Sequence, residues 1–177
     1  MAGNLFPERL NEMNEDLKRL ETEFLESINS SSKIIHKIGR LYFKSHEEQA
    51  DFSQDVLINA WRAYPKFGNK SKFSTWLYRI AINTALFHVR KQINKNNVQI
   101  SEVYDSLTTD QPVNENLDKL YLAAEFLNEN EKAFLALYLE DLSYDQMSDV
   151  LGLSVNLVGV RLNRLKEKLK SIIQKIK

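Results

Sequence analysis

Apolar residues recur at steps of three and four over most of this 177-residue chain, and that spacing commits it to helices rather than strands. Leu10, Met13, Leu17, Leu20, Phe24 and Ile28 share one helix face, and the polar run Asn29-Ser30-Ser31-Ser32 is expected to end that helix. A second helix is predicted over 33–44. A third, over 47–64, turns Phe52, Val56, Leu57, Ala60, Trp61 and Tyr64 toward a core and stops before Pro65. After a loop at 65–72, a fourth helix over 73–91 is apolar around most of its circumference, which suits the centre of a bundle. Residues 5–93 thus read as a four-helix domain.

Residues 94–116 lose the periodicity and have the composition of a linker. A second domain, 117–177, is expected to hold helices over 117–127, 129–140, 144–151 and 155 to about 175, the last three capped by Asn128, Ser143 and Ser154. Within it, Ser143 to Ser154 spells a short helix, a turn with Gly152 at a left-handed position, and a new capped helix: a helix-turn-helix. In the final helix Val155, Val158, Leu162, Leu165 and Leu169 form the expected buried stripe. The fold class is therefore all-α, two small helical domains joined by a linker.

Several classes of function are excluded by what the chain lacks. It has no Cys, which removes disulfides, thiolate metal sites and cysteine nucleophiles. Five Gly and three Pro do not assemble a phosphate-binding loop, and His46-Glu47-Glu48 has Ala50 where a zinc-protease motif needs its second His. No nucleophile–base pair is visible, so neither an enzyme, a cofactor, a metal nor a small-molecule substrate is expected. The first ten residues lack a secretory pattern and no apolar run reaches membrane-spanning length, so no membrane insertion is expected and the cytoplasm is.

A formal net charge of zero conceals segregation. Residues 61–100 carry 8 basic and no acidic side chains, 101–150 carry 12 acidic and 2 basic, and 151–177 carry 7 basic and 1 acidic. Surfaces that serve only solubility mix signs. An acid-free stretch of this length is either a solvated basic face or the footprint of a polyanion such as nucleic acid.

The runs Asp51-Phe-Ser-Gln-Asp-Val, Ala60-Trp-Arg-Ala-Tyr-Pro-Lys-Phe67 and Lys72-Phe-Ser-Thr-Trp-Leu-Tyr-Arg-Ile-Ala-Ile-Asn83 resemble region two of bacterial sigma factors of the extracytoplasmic-function type. Tyr138 to Met147, Leu151-Gly-Leu-Ser-Val and Arg161-Leu-Asn-Arg-Leu-Lys-Glu-Lys-Leu169 resemble region four of the same family, in the same order. The resemblance implies a dissociable initiation factor that binds RNA polymerase core through its clamp helices and flap, opens the minus-10 element of promoter DNA, and reads the minus-35 element. An anti-sigma factor is a possible further partner. The alternative is a stand-alone helix-turn-helix regulator, which usually dimerises across half-sites; no heptad seam follows the recognition helix to support that.

Three sets of residues are expected to carry these contacts. On the third predicted helix, Asp51, Gln54, Asp55, Ile58 and Arg62 form a polar arc with one apolar anchor, suited to polymerase core. Along one edge of the fourth, Lys72, Arg79, Asn83 and Arg90 step by 7, 4 and 7; with Phe67, Lys70 and Ser71 of the preceding loop they would engage the minus-10 element, cations on phosphate and Asn83 on a base edge. The resemblance implies that Phe67 and Asn83 help wall a pocket for a flipped base. In the last helix Asn156, Gly159, Val160, Arg161, Asn163, Arg164 and Lys166 point outward toward a major groove, Asn163 as base reader and the cations on phosphate. Gly159 is expected to permit close approach to the DNA backbone.

Overall fold

A computed structural model of the chain describes residues 5–96 and 115–175. Seven α-helices and one 3-10 turn occur among them: α1 (Leu5–Tyr42), α2 (His46–Ala63), the turn Tyr64–Lys66, α3 (Phe73–Asn96), α4 (Glu115–Ala124), α5 (Glu129–Tyr138), α6 (Tyr144–Leu151) and α7 (Val155–Lys175). Most of the expected linker, 97–114, lies outside the described residues.

The polar run at 29–32 does not break the first helix as expected, so three long helices, not four, build the first bundle. The serines bond back onto the helix itself: the hydroxyls of Ser27, Ser30 and Ser32 donate to the carbonyls of Glu23, Ser27 and Asn29 at 2.8, 2.9 and 3.2 Å. With their donors satisfied locally, they do not compete for a turn. Buried Ile28 on one side of the run and Ile34 and Ile35 on the other hold both halves to the bundle. Upstream, the expected apolar face is not covered, and Leu10, Met13 and Leu17 are exposed.

Helix α2 begins at a reciprocal cap in which the Ser45 side chain accepts from the Glu48 amide and Glu48 returns a bond to the Ser45 amide. Pro65 opens the 3-10 turn where α2 stops. Phe52, Val56 and Ala60 of α2 are fully buried against Ile38 of α1 and Leu77 and Ala81 of α3. Leu57 and Trp61, expected in the core, remain 38% exposed at the margin. Gly68 (φ 60°) and Asn69 (φ 52°) form a consecutive left-handed pair. Glycine adopts that region without penalty and asparagine is one of the few others that tolerates it, so the chain reverses there into α3.

The second bundle uses the expected caps. Asn128 and Ser143 each form a reciprocal capping box, and the Ser154 hydroxyl accepts from the Leu157 amide at 3.4 Å. Gly152 takes φ 66° and ends α6. Val158, Leu162, Leu165 and Leu169 of α7 are buried, whereas Val155, expected in the same stripe, is 39% exposed because the first helical turn overhangs the core.

The two bundles touch. The Tyr42 hydroxyl donates to the Glu129 carbonyl at 2.5 Å, Lys37 pairs with Glu140, Lys44 with Glu125 at 3.3 Å, and the Arg40 guanidinium sits 4.1 Å from the centre of the Tyr121 ring. Burial, and then the Glu129 carboxylate, hold the Tyr42 phenol well above its usual range. Tyr78 behaves likewise, through burial and the neighbouring Glu140 charge. Arg79 of α3 donates to the Asp149 carbonyl. That carbonyl lies in the last turn of α6, where backbone acceptors have no partner within the helix and a cation is favoured by the helix dipole.

Candidate nucleic-acid interface

Three exposed surfaces emerge from this arrangement. The first is the solvent side of α2. Asp51, Gln54, Asp55, Ile58 and Arg62 all lie there, with Ile58 39% exposed. Because Leu57 and Trp61 are also partly open, the apolar centre of this face is a patch of three residues rather than the lone Ile58 that the sequence suggests. Asp55 is not simply solvated: its Oδ2 lies 2.7 Å from Nε2 of His88 on α3, whose ring meets Phe43 and Phe52 edge-on. Asn59 donates to the Thr84 hydroxyl at 3.2 Å. These two bonds fix the face of α2 relative to α3. Nothing in the sequence signals them, because the partners are 33 and 25 positions apart.

The second surface is the edge of α3. Lys72, Arg79, Asn83 and Arg90 are all exposed, and Lys70 and Ser71 are exposed on the loop before them. Arg79 is the exception to an open edge: instead of pointing into solvent it is engaged by the end of α6. Phe67 is half-buried in an aromatic cluster, 4.8 Å from Trp76, 5.8 Å from Phe73 and 6.2 Å from Tyr64 between ring centres. It closes the bundle end and presents a ring margin together with Trp76. Asn83 stands two helical turns, about 10 Å, beyond Trp76 along α3. Phe87, one turn past Asn83 and 63% exposed, joins this edge although the sequence pattern places it among core positions of a central helix.

The third surface is α7. Asn156, Val160 and Asn163 form a contiguous exposed stripe. Arg161 and Arg164 flank it and line a shallow groove of about 230 Å³ shared with Asn128, Asn130 and Glu131 at the start of α5. Two further residues of the expected set have neighbours within the chain. Gly159 is half-buried beside Tyr144, whose ring a Cβ would meet at 3.4 Å, an ordinary packing distance. Lys166 folds back over the Tyr138 ring at 4.4 Å. Among the described residues no group of three or more His, Cys, Asp or Glu is placed to hold a metal ion, and no helix is long and apolar enough to cross a membrane.

Known proteins share this organisation. Sigma-70 region 2 matches residues 28–94 and sigma-70 region 4 matches residues 119–169. The extracytoplasmic-function sigma-E factor of Haemophilus influenzae is 31% identical over 147 residues, covering 75% of this chain and 78% of that protein. The sigma factor YlaC of Bacillus subtilis is 27% identical over 148 residues, covering 78% and 86%. Among solved structures, the sigma factor RpoE of Bartonella quintana in complex with the anti-sigma factor NepR has the same fold, with a TM-score of 0.67 at 20% identity over 89% of this chain and 98% of that one. CnrH bound to the cytosolic domain of CnrY gives 0.65 at 19%, over 89% and 91%. With both regions in order and a relative of this identity along most of its length, the chain belongs to the sigma-70 family, as a factor of the extracytoplasmic-function type.

Proposed function

We propose that promoter engagement is divided among the three surfaces: α2 docks on the clamp helices of polymerase, the α3 edge captures the minus-10 element, and α7 reads the minus-35 element while its domain rests on the flap. As a sigma factor the chain is a non-enzymatic initiation subunit that binds RNA polymerase and promoter DNA. It acts where polymerase acts, in the cytoplasm, with residues 97–114, the part of the expected linker between α3 and α4, as the tether between the two domains. An anti-sigma factor is a fitting regulator, since both solved neighbours are seen with a bound partner, named an anti-sigma factor for RpoE.

The observation that carries this division is the pairing of an exposed amide with exposed cations on two separate helices, Asn83 on α3 and Asn163 on α7. Amides read base edges and cations hold phosphates. Phe67, packed on Trp76, and Asn83, two turns past Trp76 along α3, both address the minus-10 element. A stand-alone regulator would have no use for the α2 face or for a region 2 domain.

The test separates opening from docking. With polymerase core in excess, Asn83→Ala leaves duplex promoter binding nearly intact but lowers permanganate-reactive thymines and transcripts, and a pre-melted bubble restores part of the loss by removing the unpairing cost. Arg164→Ala weakens closed-complex binding and its salt dependence, with little rescue by the bubble. Equal failure of both at closed-complex binding, with no bubble rescue, overturns the division.

A further inference from the structure

Among the residues of the first bundle whose side chains are described, Phe87 is the most exposed aromatic one, at 63%. Its sole ring neighbour among the described residues is His88, 6.4 Å away. A single exposed apolar residue is ordinary, but the position of this one is not. It lies in the segment 61–100 that carries no carboxylate. Along α3 it follows Asn83 by four residues and precedes Arg90 by three, which are the two spacings that place side chains side by side on one helix face. Trp76 precedes it by eleven residues, or three turns, on the same side, with the Phe67 ring against it.

The edge therefore alternates aromatic and polar groups along its length: the Phe67–Trp76 cluster, then Asn83, then Phe87, flanked by Lys72, Arg79 and Arg90. A groove that holds single-stranded nucleic acid needs these two ingredients in register, cations that follow the phosphates and rings on which successive bases stack. Duplex DNA offers no base face to such a ring, because its bases are already stacked on one another. The feature acquires a ligand only once a strand is unpaired.

We infer that Phe87 is a stacking platform for an unpaired promoter base, next to the base reached by Asn83, and that it selects for opened DNA over duplex. The inference rests on the assignment of the α3 edge to the minus-10 element. Stacking is available to any base, so the contact contributes to holding the open strand and little to sequence choice. Phe87 is exposed in the folded chain, which leaves its ring open to DNA.

The experiment uses the complex of the factor with polymerase core and two fluorescent probes, a dT 12-mer and a mixed-sequence duplex of the same length. Phe87→Ala is expected to weaken binding of the single strand by about 5- to 100-fold, the range for loss of one base–aromatic stack, and to change duplex binding by less than about 2-fold. Phe87→Trp is expected to retain or tighten single-strand binding, and Phe87→Leu, which keeps apolar area without a π-face, to resemble Phe87→Ala. Affinity for core and the thermal melt stay as in the parent for all three. Unchanged single-strand binding by Phe87→Ala, full retention by Phe87→Leu, or loss of core binding each overturns the platform. A Lys72→Ala, Arg90→Ala variant run in parallel identifies which idea has failed. If it weakens single-strand binding while Phe87→Ala does not, the edge stands and the platform falls; if neither has an effect, the assignment of the edge itself falls.

Discussion

In the closed arrangement of the two bundles, Arg79 is spent on the end of α6, so loosening that arrangement should improve DNA binding by the factor in the absence of polymerase. The perturbation is Tyr42→Phe combined with Arg40→Ala. The first keeps the ring in place and removes a hydrogen bond of 2.5 Å to the Glu129 carbonyl, worth about 1 kcal/mol net. The second removes a guanidinium 4.1 Å from the Tyr121 ring, worth about 0.5–1 kcal/mol at a partly open site. Their partners differ, so the two effects should nearly add. Together they supply about 2 kcal/mol, a shift of roughly 30-fold in the ratio of open to closed chain. The ion pairs Lys37–Glu140 and Lys44–Glu125 are half-exposed and contribute little.

Because the chain has no Cys, dyes attached at Lys33→Cys and Lys170→Cys, both exposed, report the distance between bundles without background labelling. Energy transfer should fall in the double variant. Binding to a short duplex at low salt should tighten by up to about 30-fold, the limit set by the gain in competent population. A variant that opens by energy transfer yet binds DNA within about twofold of the parent refutes the claim that closure limits binding. One that stays closed shows that the polar contacts are minor beside apolar packing between the bundles.

Two further outcomes follow from the geometry. Ile58→Asp should abolish binding to polymerase core while moving the thermal melt by little, since Ile58 is already 39% exposed; unfolding of the variant would return Ile58 to the core. Gly152→Ala should cost about 1–2 kcal/mol in chemical denaturation, a pure backbone effect, because a Cβ there meets nothing within 4 Å and only the φ of 66° is strained; a neutral result would mean that the turn relaxes.

What the sequence makes legible differs between the two bundles for a physical reason. In the second, three boundaries are set by local devices: Asn128 and Ser143 with their N3 partners, and Gly152 with its left-handed φ. Such devices act within four residues and are visible as spelling. In the first, the decisive facts are non-local. Whether Asn29 to Ser32 ends a helix depends on the burial of Ile28, Ile34 and Ile35 against other helices, and the serines comply by bonding to their own backbone. The candidate surfaces follow the same rule. Helical spacing is enough to gather Lys72, Asn83 and Arg90 on one edge, but the capture of Arg79 by Asp149, 70 positions away, leaves no local trace. Nor does the approach of the Tyr144 ring to Gly159.

The zero net charge acquires a meaning from these non-local contacts. A dissociable factor with 8 cations and no carboxylate over 61–100 would bind any DNA it met, since non-specific affinity grows with the number of phosphates neutralised. Contacts from the acidic stretch 101–150 counter this. Glu125 and Glu140 lie against Lys44 and Lys37 of α1 where the second bundle meets the first, and that docking brings the α6 terminus to Arg79. Closure thus removes a cation from the DNA-facing edge without neutralising it by a carboxylate. The distinction matters for regulation, because a backbone carbonyl competes far less strongly with a phosphate than a carboxylate would. Separation of the bundles would return Arg79 to that edge, and the added phosphate contact would change the salt slope of binding by about one.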